Sequence, residues 1–277
     1  MQLIDGKKIA EKILKDLTVQ IQALAFKPVL IDIFIGRDMV SELYVKIKNK
    51  RAEECGLAFE LKNYSNTESP EKIYAEIEEF CKRPEVCGVI LQLPVPKNFD
   101  KDALLKRISP DVDADCLTEE NLRKFYANQP SLQPPTVKAV LKIFEEYKID
   151  LTGKKVLIVG QGELVGRPLA HILKFKGFDV TTADRSTKNL RDLFFHNDVV
   201  ISAAGQPKLI NGKMLKKGAV VIDAGTADSA GGIVGDVDSQ LINEVASFFA
   251  PVPGGVGPVT VAMLIENVFK VAKTRKS

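Results

Sequence analysis

The sequence predicts an α/β protein of two domains built on parallel sheets, and three observations carry that prediction. Short, β-branched apolar runs such as residues 29–35 alternate with stretches of helical periodicity, the order that a parallel sheet covered by helices requires. The apolar run 156–159 ends at Gly160 and leads through a glycine turn into an amphipathic segment, as a buried strand does when it feeds a helix N-terminus. Two breaks rich in proline and aspartate, at 110–115 and 130–135, bracket a boundary and leave each portion of the 277 residues long enough for its own core.

In order along the chain, Ile9, Ile13, Leu17, Ile21 and Leu24 recur at helical spacing and predict a first amphipathic helix over 7–24. Residues 29–35 give a buried strand closed by Gly36. Residues 41–54 return to helix, with Leu43, Ile47 and Ala52 as inward positions and Gly56 just beyond the C-terminal end. Phe59, Leu61 and Asn63 alternate with Glu60, Lys62 and Tyr64, the pattern of a less buried strand. Ser69 and Pro70 then open a helix, one as cap and one at the first helical position. A buried strand over 88–93 is stopped by Pro94-Val95-Pro96, and a long helix over 137–147 follows the second break.

After the glycine turn, strands over 179–182, 198–202 and 219–223 alternate with helical segments, which predicts a Rossmann-like nucleotide-binding domain. Residues 250–258 are too rich in proline and glycine for regular structure and predict a rigid loop. The last helix, 259–274, carries Val261, Leu264, Ile265, Val268 and Val271 on one side and needs a partner, which docking back on the first domain supplies. The expected division is therefore 1–117 with 259–277 returning to it, and 118–258.

Composition excludes several classes. An apolar fraction of 45% with 27% charged residues is that of a soluble globular protein, and a net charge of +3, scattered along the chain, argues against nucleic acid as partner. No apolar run approaches a bilayer span and no apolar signal core opens the chain, so a cytoplasmic protein is expected. Cys55, Cys81, Cys87 and Cys116 lack metal-ligand spacing, and with only His171 and His196 beside them no metal site is expected.

Several residues are candidates for chemistry. Ser41, Tyr44 and Lys48 share one helix face, where an amine beside a phenol can move protons, although a surface tyrosine packed on a lysine stem has the same spacing. Gln92, next to two prolines, needs partners for its amide, from a ligand or from backbone. Asp113 and Asp115 stand two apart on a loop, at a cleft or simply solvated. Gly160, Gly162 and Gly166 suit close approach of a phosphate to a helix N-terminus. Asp184 falls where an acid accepts hydrogen bonds from a ribose, and Arg185 where a 2′-phosphate would be met.

These features together resemble the bifunctional methylenetetrahydrofolate dehydrogenase/cyclohydrolase family over essentially the whole chain. The family's S-x-x-Y-V-x-x-K-x-K is matched by Ser41, Tyr44, Val45, Lys48 and Lys50, its Q-L-P-x-P by 92–96, and its P-V-P-G-G-V-G-P-x-T by 251–260. The resemblance implies oxidation of 5,10-methylenetetrahydrofolate by NADP, with NAD as the other cofactor open to it, followed by hydrolysis to 10-formyltetrahydrofolate. It also implies a homodimer formed through the nucleotide domain.

By motif matching, Lys48 is the proton-transfer group of hydrolysis, with nearby cations such as Lys50 acting on it. Tyr44 orients the folate, Gln92 holds Lys48, and Asp115 binds the pterin. Leu93, Pro253, Gly254 and Gly255 complete the substrate set, and Gly160, Gln161, Gly162, Gly166, Asp184, Arg185 and Thr226 the cofactor set. The chain departs from the pattern at Val112, Cys116 and Arg123, where the family has lysine, glycine and glycine, and at Gln161, Gly162 and Asp184. Two alternatives follow from the departures: a cyclohydrolase with altered or lost dehydrogenase activity, and a non-catalytic folate- or nucleotide-binding protein.

Overall fold

The structure is a computed structural model that describes residues 1–229 and 232–275. Strand β1 (Gln2–Leu3) leads into helix α1 (Gly6–Gln22), whose buried residues Ile9, Leu14, Leu17 and Ile21 keep the expected helical spacing. Strand β2 (Val29–Ile35), helix α2 (Met39–Glu54), strand β3 (Ala58–Tyr64), helix α3 (Pro70–Lys82) and strand β4 (Val86–Leu91) follow in strict alternation. The three strands form a parallel sheet in the order β3-β2-β4. As the middle strand, β2 is buried over its whole length, whereas the outer β3 is only partly covered.

A short helix α4 (Lys101–Leu105) precedes the acidic loop, and a parallel bridge between Val89 and Asp113 lays that loop beside β4. Helices α5 (Glu119–Tyr126) and α6 (Pro135–Glu146) come next. The chain then passes through β5 (Lys155–Val159), α7 (Gly166–Phe175), β6 (Asp179–Ala183), α8 (Leu190–His196), β7 (Val199–Ser202) and β8 (Val220–Asp223). A small antiparallel hairpin of β9 (Ala227–Ser229) and β10 (Gly232–Val234), strand β11 (Phe248–Ala250) and helix α9 (Val256–Thr274) complete it. The larger sheet has the order β1-β11-β8-β7-β5-β6, with every pairing parallel. Strand order reverses between β5 and β7, the switch point at whose carboxyl ends α/β sheets bind ligands.

The chain separates into two compact units, residues 1–10 with 136–260, and 11–135 with 261–277. Two departures from the expected division have local causes. The first residues join the unit of the larger sheet because β1 pairs with β11, Gln2 N donating to Ser247 O at 2.7 Å and Ile4 N to Phe249 O at 2.8 Å. Residues 118–135 stay with the other unit because the Asp113 carboxylate accepts from the Leu117 and Thr118 amides, the Thr118 hydroxyl and the Asn121 side chain.

Helix α9 begins at Val256, inside the stretch expected to be a loop, because Pro258 falls in the first turn, where its missing N–H costs nothing. Beyond residue 260 the helix docks as expected. The fully buried Asn267 donates to Ala114 O and Gln133 O, both at 2.9 Å, and Arg275 donates to Arg83 O at 2.7 Å. Gly88 makes room for it, since a Cβ there would collide with Val268.

Candidate active site

Helix α2 buries Ser41, Val45, Lys48 and Ala52; of the three positions expected inward Ala52 is buried, whereas Leu43 and Ile47 are exposed. The buried stripe has the spacing 41, 45, 48, 52, so a serine and a lysine are carried to the sheet in place of two large aliphatics. Asp38 caps the helix, its carboxylate accepting from Ser41 N at 2.8 Å, and the Ser41 hydroxyl is available for other bonds.

Lys48 is 8% exposed, and Nζ donates to Gln92 Oε1 at 2.7 Å. Gln92 follows the last residue of β4, and its backbone N–H still donates to Ile33 O at 2.8 Å, which anchors it to the sheet. Its amide nitrogen donates to Leu93 O at 2.9 Å and to the Ser41 hydroxyl at 3.3 Å, so the side-chain oxygen faces the lysine. Leu93 therefore contributes its carbonyl, and the Leu93–Pro94 peptide is cis. Tyr44, one turn before Lys48, is half-buried, and desolvation pushes its phenol up.

The sequence reading missed Asp32. This aspartate lies in the middle of β2, is 0% exposed, and places Oδ2 2.5 Å from Lys48 Nζ. Neither of its oxygens accepts a hydrogen bond from any other described group. Burial pushes the Asp32 carboxyl up, and the Lys48 charge pulls it partly back. The available signal was a lone acid inside the run Val29-Leu30-Ile31-Asp32-Ile33-Phe34-Ile35. The charge against Lys48 is thus a carboxylate. Lys50, expected to act as a nearby cation, has a side chain that is 72% exposed and lies 3.9 Å from Glu54.

The two loop aspartates separate in role. Asp113 is 1% exposed and spends its oxygens on the turn into α5. Asp115 keeps part of its surface accessible, and its carboxyl is pushed up to about 7 by desolvation, with Lys48 opposing and Asp113 and Asp32 adding to the shift. Cys116 takes φ +58°, the conformation that suits the glycine of the family motif. Tyr44, Lys48, Gln92, Leu93 and Asp115 thus fall in one unit, in the neighbourhood of Asp32.

The cofactor candidates lie in the other unit. Gly160 ends β5 at φ +91°, and a Cβ there would strike the Ala203 carbonyl, so the turns after β5 and β7 meet backbone to backbone. Gly166 likewise abuts the Gly160 carbonyl, whereas a side chain at Gly162 would meet open space. The helix starts at Gly166 rather than directly after the first glycine. Of its free N-terminal donors, Arg167 N is spent on Gly162 O at 3.1 Å, and Pro168 has none. Gln161 folds back, donating to Gly160 O at 3.0 Å.

Asp184 is exposed and closes its own turn, accepting from Ser186 N at 2.9 Å and the Ser186 hydroxyl at 2.6 Å, which hold its carboxyl below the usual range. Arg185 and Thr226 are exposed. Two buried acids that the sequence reading did not single out shape this region. Asp236 accepts from the Ser202 hydroxyl, Ala204 N and Gln206 N, and Asp223 accepts from the amides of Gly225, Asp236 and Val237. Pro253, Gly254 and Gly255 belong to this unit as well. They form the turn before α9, where Gly254 O accepts from Gly6 N at 2.9 Å.

Among the described residues no group of histidine, cysteine, aspartate or glutamate side chains could hold a metal ion, and no helix is long and apolar enough to cross a membrane. The four cysteines are free thiols and buried.

Known proteins match both halves of the chain. Residues 4–115 match the catalytic domain of tetrahydrofolate dehydrogenase/cyclohydrolase, and residues 134–276 match the NAD(P)-binding domain of the same family. The bifunctional protein FolD of Vesicomyosocius okutanii is 38% identical over 276 residues, covering 99% of this chain and 100% of that one. The crystal structure of the bifunctional methylenetetrahydrofolate dehydrogenase/cyclohydrolase FolD from Campylobacter jejuni superposes with a TM-score of 0.94 at 36% identity, covering 100% of both chains. The Trypanosoma brucei enzyme, solved with NADP and an inhibitor, gives a TM-score of 0.94 at 33% identity, over 98% of this chain and 97% of that one. With both domain matches in place and relatives of this similarity along the full length, the chain belongs to the tetrahydrofolate dehydrogenase/cyclohydrolase family.

Proposed function

We propose that this protein oxidises 5,10-methylenetetrahydrofolate to the 5,10-methenyl form with a nicotinamide cofactor and hydrolyses that product to 10-formyltetrahydrofolate. The observation that carries the reading is the Lys48–Gln92 hydrogen bond on the buried face of α2, in a chain of this family. Lys48 transfers the proton in hydrolysis, and Gln92, itself fixed by Ser41 and the Leu93 carbonyl, sets the direction of Nζ. Tyr44 offers a ring face for the folate. Asp115, poised near neutrality, offers the pterin either an acceptor or a donor. Pro253, Gly254 and Gly255 are assigned to the substrate, the unit of residues 11–135 and 261–277 to folate, and the unit of residues 1–10 and 136–260 to nucleotide.

A nicotinamide dinucleotide fits the turn after β5: Gly160 adopts a backbone closed to other residues, Gly162 faces open space, and the strand order reverses beside it. Gly160, Gln161, Gly162 and Gly166 would cradle the phosphates, and Asp184, Arg185 and Thr226 would lie along the ribose. When bound, the nicotinamide supplies the hydride acceptor. The chain's part in that step is orientation and exclusion of water. NADP is the assigned cofactor, with NAD as the alternative that Asp184 favours. A homodimer is part of the same reading, supported by β6 as an unpaired edge of the larger sheet, as is a cytoplasmic location, supported by four free thiols.

Absorbance of the methenyl product, followed with NADP, with NAD and then during hydrolysis, tests the reading. Turnover in both steps is expected. Hydrolysis without oxidation by either nucleotide would favour a cyclohydrolase that has lost its dehydrogenase, a second reading motivated by the partly spent donors of α7 and the self-satisfied Asp184.

A further inference from the structure

We propose, on the reading that Lys48 transfers the proton in hydrolysis, that Asp32 is its positioning residue, holding Nζ against Gln92 and exchanging a proton with it during the reaction. Asp32 reaches Lys48 from β2 and Gln92 from the end of β4, so two elements of the sheet fix one amine carried by α2. Asp32 is fully buried among aliphatic neighbours, and no described group other than Lys48 donates to it. A carboxylate so placed has no structural bond to make. Asp113, Asp223 and Asp236 differ in this respect, since each accepts from backbone amides. The other charge that acts on the pair is Asp115, from the loop beside β4.

The pair is electrically neutral in two forms, ammonium with carboxylate and amine with carboxylic acid, so low dielectric opposes neither through net charge. Transfer of one proton from Nζ to Oδ2 frees the nitrogen lone pair. As water adds to the methenyl carbon, its oxygen forms the new C–O bond, the C=N π electrons return to nitrogen, and one water proton passes to Nζ. Nζ then gives that proton to the departing ring nitrogen as its bond to carbon breaks. The hydroxyl becomes the formyl carbonyl and releases its proton to solvent. Asp32 returns its own proton to the amine, and the pair is restored.

Asp32→Asn, which keeps shape but cannot take the proton, tests this together with Asp32→Glu. For methenyl hydrolysis, Asp32→Asn is expected to lower kcat at least 30-fold with KM within threefold, and Asp32→Glu to recover at least a tenfold part of the loss. If Asp32→Asn does not fold, Asp32→Val, matched to the aliphatic run around it, carries the same kcat and KM readings. A kcat within twofold of wild type, a KM that rises in step with the loss, or Glu no better than Asn would overturn the role of Asp32. A wild-type protein that hydrolyses no methenyl substrate would instead sink the functional reading itself, so the two failures are told apart.

Discussion

Lys48 Nζ and Gln92 Oε1 meet at 2.7 Å although 44 residues separate them in the chain. The contact exists because α2 and the end of β4 pack on the same parallel sheet, and because Ser41 and the Leu93 carbonyl occupy the other end of the amide. Lys48→Met is expected to lower methenyl hydrolysis by about 10²–10⁴-fold, the range of a lost proton-transfer group, while folate binding persists. Gln92→Leu is expected to lose activity in the same step by a smaller factor. Steady-state kinetics beside a binding titration checks both, and undiminished hydrolysis in Lys48→Met would remove the lysine from its role.

Stability should fall as pH rises from 5 to 8. Asp223 and Asp115 have carboxyls raised to about 7, chiefly by desolvation, against about 3.9 in an unfolded chain. The folded state therefore holds protons that the unfolded state releases. Their contribution is complete below about pH 4 and is lost as pH passes 7. Glu60, lowered to about 2 by its hydrogen bonds to Arg83, acts in the opposite direction, but only as pH falls below about 4, outside this window. Urea midpoints at pH 5, 6, 7 and 8 provide the measurement, and a midpoint that climbs over this range would contradict the assignment.

The glycines of the nucleotide turn should differ sharply. Gly160→Ala places a side chain at φ +91° and into the Ala203 carbonyl, and a cost of about 3 kcal/mol or more in folding stability is expected. Gly162→Ala meets no atom and should change stability by no more than about 0.5 kcal/mol, while raising KM for the nucleotide. Thermal unfolding of both variants, with nucleotide kinetics on the second, distinguishes a conformational requirement from open space left for a ligand.

Asp184→Ser should shift cofactor preference toward NADP. With Asp184 beside the ribose, its ionised, exposed carboxylate would repel a 2′-phosphate, and serine would remove that repulsion while supplying a hydroxyl. A roughly tenfold rise in the ratio of kcat/KM for NADP over NAD is expected. An unchanged ratio would place the ribose elsewhere.

The sequence by itself determined the alternation of elements, both parallel sheets and the return of the last helix, and it singled out Lys48, Gln92 and Asp115 as candidates. Each of these is written in local periodicity or in a short motif, and local sterics are enough to express it. Tertiary structure alone decided which face of α2 turns inward. Hydrophobicity pointed to Leu43 and Ile47, whereas packing on β2 and β4 buried Ser41 and Lys48, because partners were waiting for them there. It also decided that the first ten residues pair with β11 and that Asp113 and Asp115, two residues apart, do different work. Asp32 is the clearest case. Its letter stands in plain view within an apolar strand, but the meaning of a buried charge lies in what it touches, and that neighbour comes from another element.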